Sequence, residues 1–177
     1  MSKYVGQAMK RVEDPRLITG SAKYLEDIQI PGMTYAAILR TPHAHAKIKG
    51  INTDKAKALA GVVGVYTGKD FAHLNPLPIA WQAGGVKNNA NSPKILETDK
   101  VTYLGAGVAV VVAENRYIAE DALGLIEVDY EVLPAVTNAK KTTEPGAPQI
   151  HENALTNIKM EWEYGDAATT VKALRSD

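Results

Sequence analysis

The sequence predicts a mixed α/β fold, an α+β arrangement with a mixed sheet, built from two strand–helix–strand units and a carboxyl-terminal extension. Three observations predict it. The run Val108-Ala109-Val110-Val111-Val112-Ala113 is uninterrupted by polar residues, as in a strand covered on both faces and central in its sheet. Apolar and polar residues alternate with a period of two over Ala44 to Asn52 and again over Val128 to Val132. Each of two strand-like runs also gives way to a short helical stretch and then to another strand-like run.

In chain order, residues 1–22 read as an amino-terminal arm, and Met1 to Lys10 lacks the apolar stretch of a secretory leader. Lys23 to Ile28 and Met33 to Arg40 favour β structure. Pro31-Gly32 turns between them, because proline fixes φ and glycine tolerates positive φ. After Thr41-Pro42 a half-buried strand is expected over Ala44 to Asn52, with Ala44, Ala46, Ile48 and Gly50 on one side and His45, Lys47 and Lys49 on the other. Thr53 or Asp54 caps a short helix to Ala60, Gly61 is its left-handed stop, and Val62 to Thr67 is the next strand. Ala72 to Pro93, rich in Pro, Gly and Asn, reads as a long exposed loop. Beyond the central run, Asn115 caps a helix from Arg116 to about Leu125, whose Ile118, Ala122 and Leu125 face a sheet. Val128, Tyr130 and Val132 then alternate with Asp129 and Glu131. The core is assigned to residues 23–135 and a connecting arm to 136–177. Within the arm, Val136 to Pro148 has no core-forming pattern, Asn157 to Tyr164 reads as a last strand, and Ala167 to Leu174 as a helix without a stop signal, so a further element is expected beyond it.

Composition narrows the chemistry. The 177 residues carry 20 Lys+Arg against 20 Asp+Glu, so no excess of positive charge exists to hold nucleic acid or an anionic membrane. There is no cysteine, which removes disulfides, thiolate nucleophiles, iron–sulfur ligation and thiolate zinc sites. The longest purely apolar run, Val108 to Ala113, is far short of the ~20 residues of a spanning helix. A soluble, cytoplasmic chain is expected.

No candidate site survives on sequence grounds. His43 and His45 share a strand face, where two imidazoles can hold a metal, but no third ligand is identifiable and the pair reads as a surface or hydrogen-bonding pair. His73 and His151 sit alone in loop-like contexts and are expected to be solvated. Glu120, Asp121, Glu127, Asp129 and Glu131 fall on polar faces and do not converge as an acid and a base must. Gly105 and Gly107 precede a strand rather than a helix and lack a third glycine, so a bulge or turn fits better than a phosphate loop. Ser21, Ser92 and Ser176 stand in no nucleophile elbow. Trp81-Gln82 and Gly84-Gly85, in the long loop, suit either contact with a neighbouring domain or folding back on their own. Catalytic, cofactor-binding and metal-ligating residues are therefore all expected to be none.

The order of motifs nevertheless resembles a known family. Arg11-Val12-Glu13-Asp14-Pro15-Arg16-Leu17-Ile18-Thr19-Gly20, Tyr24-Leu25-Glu26-Asp27-Ile28, Pro31-Gly32-Met33 and Leu39-Arg40-Thr41-Pro42-His43-Ala44-His45-Ala46 resemble the start of the molybdenum-cofactor large subunit of the xanthine dehydrogenase, aldehyde oxidase and carbon monoxide dehydrogenase family. Asp99 to Gly105, Val108 to Glu114, Arg116-Tyr117, Ala119 to Ala122, Val128 to Glu131 and Leu133 to Val136 are similar to the second signature block of its amino-terminal α/β hammerhead domain. The look is closest to the carbon monoxide dehydrogenase members. Two departures stand out: Ala106-Gly107 where Glu-Pro is common, a flexible turn for a stiff charged one, and Thr41 where Ser is frequent.

The resemblance implies an α/β hammerhead within a far larger subunit, whose pterin-binding segments, molybdenum-facing loop and base-like Glu lie downstream. It implies a chain inactive alone, with no cofactor of its own, that helps assemble a molybdenum-dependent oxidoreductase. The complete enzyme would hold a molybdopterin-type cofactor in the remainder of the large subunit, with iron–sulfur clusters and FAD in an iron–sulfur subunit and a flavin subunit. A chain of this length is a fragment of the large subunit or a split subunit. The competing expectation is a freestanding binding or scaffold module that kept the fold without the enzyme.

Overall fold

The apolar run that patterning places at the centre of a sheet lies there. The structure, a computed structural model, describes residues 4–78, 87–88, 92–154, 156–161 and 164–175. Its strands are β1 (Tyr35–Arg40), β2 (Ala46–Asn52), β3 (Val62–Thr67), β4 (Lys87–Asn88), β5 (Lys100–Val101), β6 (Gly107–Ala113), β7 (Glu127–Val132) and β8 (Met160–Glu161). The helices are α1 (Asp14–Ile18), α2 (Asp54–Lys57), α3 (Arg116–Leu123) and α4 (Ala167–Leu174). Two units divide the chain, Met1–Met33 and Thr34–Asp177.

In the first unit, Pro15 near the start of α1 suits a position whose N–H needs no partner. Lys23 to Ile28, expected as a strand, is instead a 3₁₀ turn over Leu25–Asp27. The Tyr24 N–H donates to Asp27 Oδ2 at 2.9 Å, and this local bond closes a turn where a strand would need a partner. Gly32, at φ 80°, completes a turn closed by the Met33 N–H on the Ile30 carbonyl at 2.9 Å.

The second unit is built on two three-stranded sheets, ordered β1-β6-β3 and β5-β2-β7, and a two-stranded pair of β4 with β8. Every pairing among the described residues is antiparallel, rather than the expected mixed sheet, because each helix crosses to the other sheet instead of returning to its own. Both expected strand–helix–strand units are present, β2-α2-β3 and β6-α3-β7, and each helix carries the chain from one three-stranded sheet to the other. This is the mixed α/β fold expected. Asn115 caps α3 by accepting from the Ile118 N–H at 2.9 Å, and Gly61 takes φ 86° at the join between α2 and β3.

The core follows from these crossings. Ala56, Val65, Ala109, Val111, Ala122 and Ile126 pack between α2, α3 and one face of the first sheet, and Ala37, Ala113 and Ala119 continue that layer. Ala46, Val101, Ala106 and Val108 form a second cluster, linked to the first through Leu39, Ile51 and Val128. Alanines dominate where helix meets sheet, which permits close approach of the backbones.

Several expected boundaries move. The helix after Asn52 stops at Lys57, and its first N–H is met by the Asn52 side chain at 3.0 Å rather than by Thr53 or Asp54. In β2 the pairing shifts between Ile48 and Gly50, so Ile51 and not Gly50 follows Ile48 into the core. The long loop carries β4, and the last strand shrinks to Met160–Glu161. Within the arm, Asn138 caps a 3₁₀ turn over Ala139–Thr143.

Candidate functional site

His43 and His45 come from the entry to β2, and the structure separates them. His45 is buried, 5% exposed, and its Nδ1 lies 2.7 Å from the carbonyl oxygen of Pro134, while its Nε2 has no hydrogen-bond partner among the described residues. The Leu133 N–H also donates to the His45 carbonyl at 2.9 Å, so this histidine fastens the end of β7 to the start of β2. Its expected hydrogen bond is there, but its place beside Lys47 and Lys49 on the polar side is corrected: the strand begins only at Ala46 and the ring turns inward. His43 is half-buried and meets Tyr130 edge-on, with ring centroids 4.9 Å apart. Among the described residues no group of three or more His, Asp or Glu side chains is placed to hold a metal.

Of the candidate carboxylates, Glu127 and Glu131 on β7 are held in ion pairs. Lys49 meets Glu131 at 2.8 Å, Lys47 meets the same carboxylate at 3.5 Å, and Lys55 meets Glu127 at 2.5 Å. The hydrogen bond from Lys49, with both lysine charges, holds the Glu131 carboxyl below its usual range, and the same bond raises Lys49. Glu120, Asp121 and Asp129 are exposed. None of this converges on a reacting centre.

A cleft of about 600 Å³ opens beside β5, lined by Lys47, Lys94, Glu97, Lys100, His151 and Glu152 among others. Burial pushes the Glu97 carboxyl up, and burial, with Lys100 nearby, pushes the His151 imidazole down. His151 is thus half-buried rather than solvated, whereas His73 is exposed as expected. Two of the cleft's cations are held locally: Lys100 Nζ donates to the Ile150 carbonyl at 2.9 Å and to Glu152 at 3.1 Å, and Lys94 Nζ to Thr98 Oγ1 at 2.7 Å. The Lys100 contacts tie the arm to β5.

Gly105, at φ 85°, turns the chain into β6, and the loop closes on Thr41: the Gly105 N–H donates to the Thr41 carbonyl at 3.0 Å and the Thr41 N–H to the Ala106 carbonyl at 2.9 Å. Pairing shifts at Leu39/Arg40, where Arg40 pairs with Gly107 and Val108 is the extra residue. The glycines therefore make a turn and a bulge. Ser21 bonds within the first unit, to the Arg16 carbonyl, and Ser92 lies at the cleft. Trp81, Gln82, Gly84, Gly85 and Ser176 lie outside the described residues.

Sequence reasoning did not find the outer face of β1-β6-β3. Register places Ile38, Val110 and Tyr66 in one row across it, and Ala36, Val112 and Gly64 in the next. The Tyr66 ring lies over Gly64, where an added Cβ would come within 2.8 Å of it, and Phe71 stands 6.2 Å from that ring. Ile38 remains 44% exposed and Tyr66 41%. The alternation of Ile38 and Tyr66 with inward Ala37 and Val65 was the available signal.

Comparison with known proteins follows this geometry. A family model described as aldehyde oxidase and xanthine dehydrogenase, a/b hammerhead domain, matches residues 19–134. The carbon monoxide dehydrogenase large chain of Afipia carboxidovorans is 39% identical over 94% of this chain, which covers 21% of that protein. The xanthine dehydrogenase molybdenum-binding subunit of Escherichia coli O157:H7 is 30% identical over 92% of this chain, covering 22% of its own length. The crystal structure of quinoline 2-oxidoreductase from Pseudomonas putida 86 superposes with a TM-score of 0.78 at 38% identity, over 90% of this chain and 20% of that one. The chain thus spans about a fifth of the length of the relatives it matches.

Proposed function

Because the chain belongs to the aldehyde oxidase and xanthine dehydrogenase a/b hammerhead family, we propose that it is the non-catalytic hammerhead portion of a molybdenum hydroxylase large subunit. One observation carries this reading: the hammerhead model fills most of the chain, while the relatives, among them a molybdenum-binding subunit, are about five times as long. The described residues do not themselves fit a metal centre. The sequence has no cysteine, the carboxylates of β7 are taken up in ion pairs or exposed, and His45, whose Nε2 lies buried with no hydrogen-bond partner among the described residues, is held by Pro134 through its other nitrogen.

The molybdenum cofactor belongs, in this reading, to the remainder of the large subunit, and iron–sulfur and flavin groups to partner chains. That cofactor would supply the oxidative hydroxylation when bound. The hammerhead's own contribution is a rigid two-sheet body. The His45–Pro134 bond fixes the point where β7 hands over to the arm, and Lys100 fixes the arm again at Ile150 and Glu152.

The test is co-purification from the native host. Tagged chain should recover a polypeptide carrying the molybdenum-binding portion, identified by mass spectrometry, with molybdenum present by elemental analysis. Recovery of the chain without it, from an extract that contains molybdenum hydroxylase activity, would overturn the reading in favour of a freestanding module.

A further inference from the structure

The two sheets of the second unit treat their outer faces in opposite ways. On β5-β2-β7 that face carries Lys47, Lys49, Asp129 and Glu131, three of them ion-paired, as a face left to water does. On β1-β6-β3 the corresponding rows are Ile38-Val110-Tyr66 and Ala36-Val112-Gly64, without a charge or a hydroxyl other than that of Tyr66; at the end of β1 this face closes with Arg40, whose Nη1 donates to the Gly105 carbonyl at 2.9 Å, and with Leu96, which packs beside Ile38 at Gly107. The helices α2 and α3 cover the other face of this sheet, at Ala37, Val65 and Val111. The sequence of β6 is nevertheless that of a strand covered on both faces. Its outer valines are only half-buried, and Ile38 and Tyr66 keep 44% and 41% of their surface open.

We infer that the outer face of β1-β6-β3 is the surface on which the molybdenum-binding remainder of the large subunit docks, an inference that rests on the reading of the chain as part of that subunit. The relatives supply the occupant. About four fifths of each lies outside what this chain matches, a body much larger than the hammerhead and able to cover a three-stranded sheet. The chemistry of the two rows selects an apolar partner surface, with the one charge, Arg40, at the edge and held by the Gly105 carbonyl. The Tyr66 ring, packed against Gly64, offers an aromatic body with few rotamers to lose, the kind of residue that anchors interfaces. The ion-paired face of the other sheet offers such a surface nothing, because its charges would have to be stripped of water.

The absence of cysteine makes the test direct, since one introduced thiol is the chain's only one. Ile38→Cys, Tyr66→Cys and, as control, Lys49→Cys are each produced as tagged chain in the native host. Maleimide labelling is followed on this chain's own peptides by mass spectrometry, in the chain alone and in the complex with the molybdenum-binding polypeptide. Labelling at positions 38 and 66 should slow at least tenfold in the complex, and at position 49 change less than twofold. Nitration of Tyr66 in the unsubstituted chain, with exposed Tyr117 on α3 as reference, reads the same face without any substitution. Unchanged labelling at 38 and 66 within that complex overturns the docking surface and leaves the assembly reading standing. Protection in a homodimer lacking the molybdenum-binding polypeptide overturns the occupant in favour of a second copy. Failure to recover that polypeptide at all removes the assembly reading and the inference with it.

Discussion

Gly61 carries the sharpest prediction, because one backbone angle there joins α2 to β3. The residue sits at φ 86°, and an added Cβ would lie 2.5 Å from Ile118 Cδ1 and 3.6 Å from Glu114 Oε2. The Gly61 carbonyl also accepts from the Glu114 N–H at 2.9 Å, so the loop is tied to the end of β6 and has little room to relax. For Gly61→Ala, the left-handed conformation costs about 1–2 kcal/mol, and pushing Ile118 off its rotamer about 0.5–1.5 kcal/mol. The narrower unfolded ensemble of alanine returns about 0.4–1 kcal/mol. The net is about 2 kcal/mol, roughly a thirtyfold fall in the folded-to-unfolded ratio and about 4–8 °C in Tm for a chain of this size. Urea unfolding with an unchanged m-value is the assay. In an Ile118→Ala background the steric part disappears and the backbone part stays, so the cost of Gly61→Ala should fall by about 0.5–1.5 kcal/mol. A cost under about 0.5 kcal/mol in the original background would refute the left-handed turn at Gly61.

Val111→Ala should destabilise by about 2–3 kcal/mol, since Val111 is fully buried and two methyl-sized groups and a cavity are lost; Ile38→Ala on the outer face should cost less than about 1 kcal/mol in the chain alone, and urea midpoints compare the two. Asn115→Ala removes the acceptor for the Ile118 N–H and should cost about 1 kcal/mol, with Asn115→Asp largely restoring it. Glu97→Gln should stabilise the chain at neutral pH. Burial raises the folded-state pKa of this carboxyl, so its ionisation weakens folding as pH climbs from the ordinary glutamate value through the raised one. The gain from glutamine should therefore be complete above that window and vanish below the ordinary value, and stability curves at several pH values check it.

Legibility in the sequence tracked how local the cause was. The Asn115 cap and the left-handed φ of Gly61 are set by neighbouring residues and appear where the pattern puts them, although α2 itself stops earlier, at Lys57; the run Val108–Ala113 is central as expected, with Val110 and Val112 only half-buried. The failures have non-local or competing causes. The pairing shift in β2 that brings Ile51 inward is set by register against β7, which no alternation within β2 records. Lys23 to Ile28 has strand-favouring residues, but the Asp27 side chain meets the Tyr24 N–H first and wins a turn. His45 reads as polar and lies inward because its partner, the Pro134 carbonyl, is brought from the far end of β7. The apolar face was half legible: β6 announces a strand covered twice, but only strand order shows that Ile38 and Tyr66 extend its outer row.

The outer valines of β6 bear on the choice between an assembling domain and a freestanding scaffold. Threonine has nearly the shape of valine and suits a strand equally well, so at Val110 and Val112, on a face left to water, it would fit with little loss and would make the face less adhesive. The sequence does make that kind of choice elsewhere, placing Asp129 and Glu131 at the outward positions of β7 and pairing Glu131 with Lys47 and Lys49. A freestanding module has the same reason to be polar on both sheets. Valine at two successive outward positions, in register with Ile38 on one side and Tyr66 on the other, is favoured only where the face becomes dry. The chain's own helices dry the opposite face. The asymmetry between the sheets therefore favours a partner, and it favours one that meets the molecule on the β1-β6-β3 side.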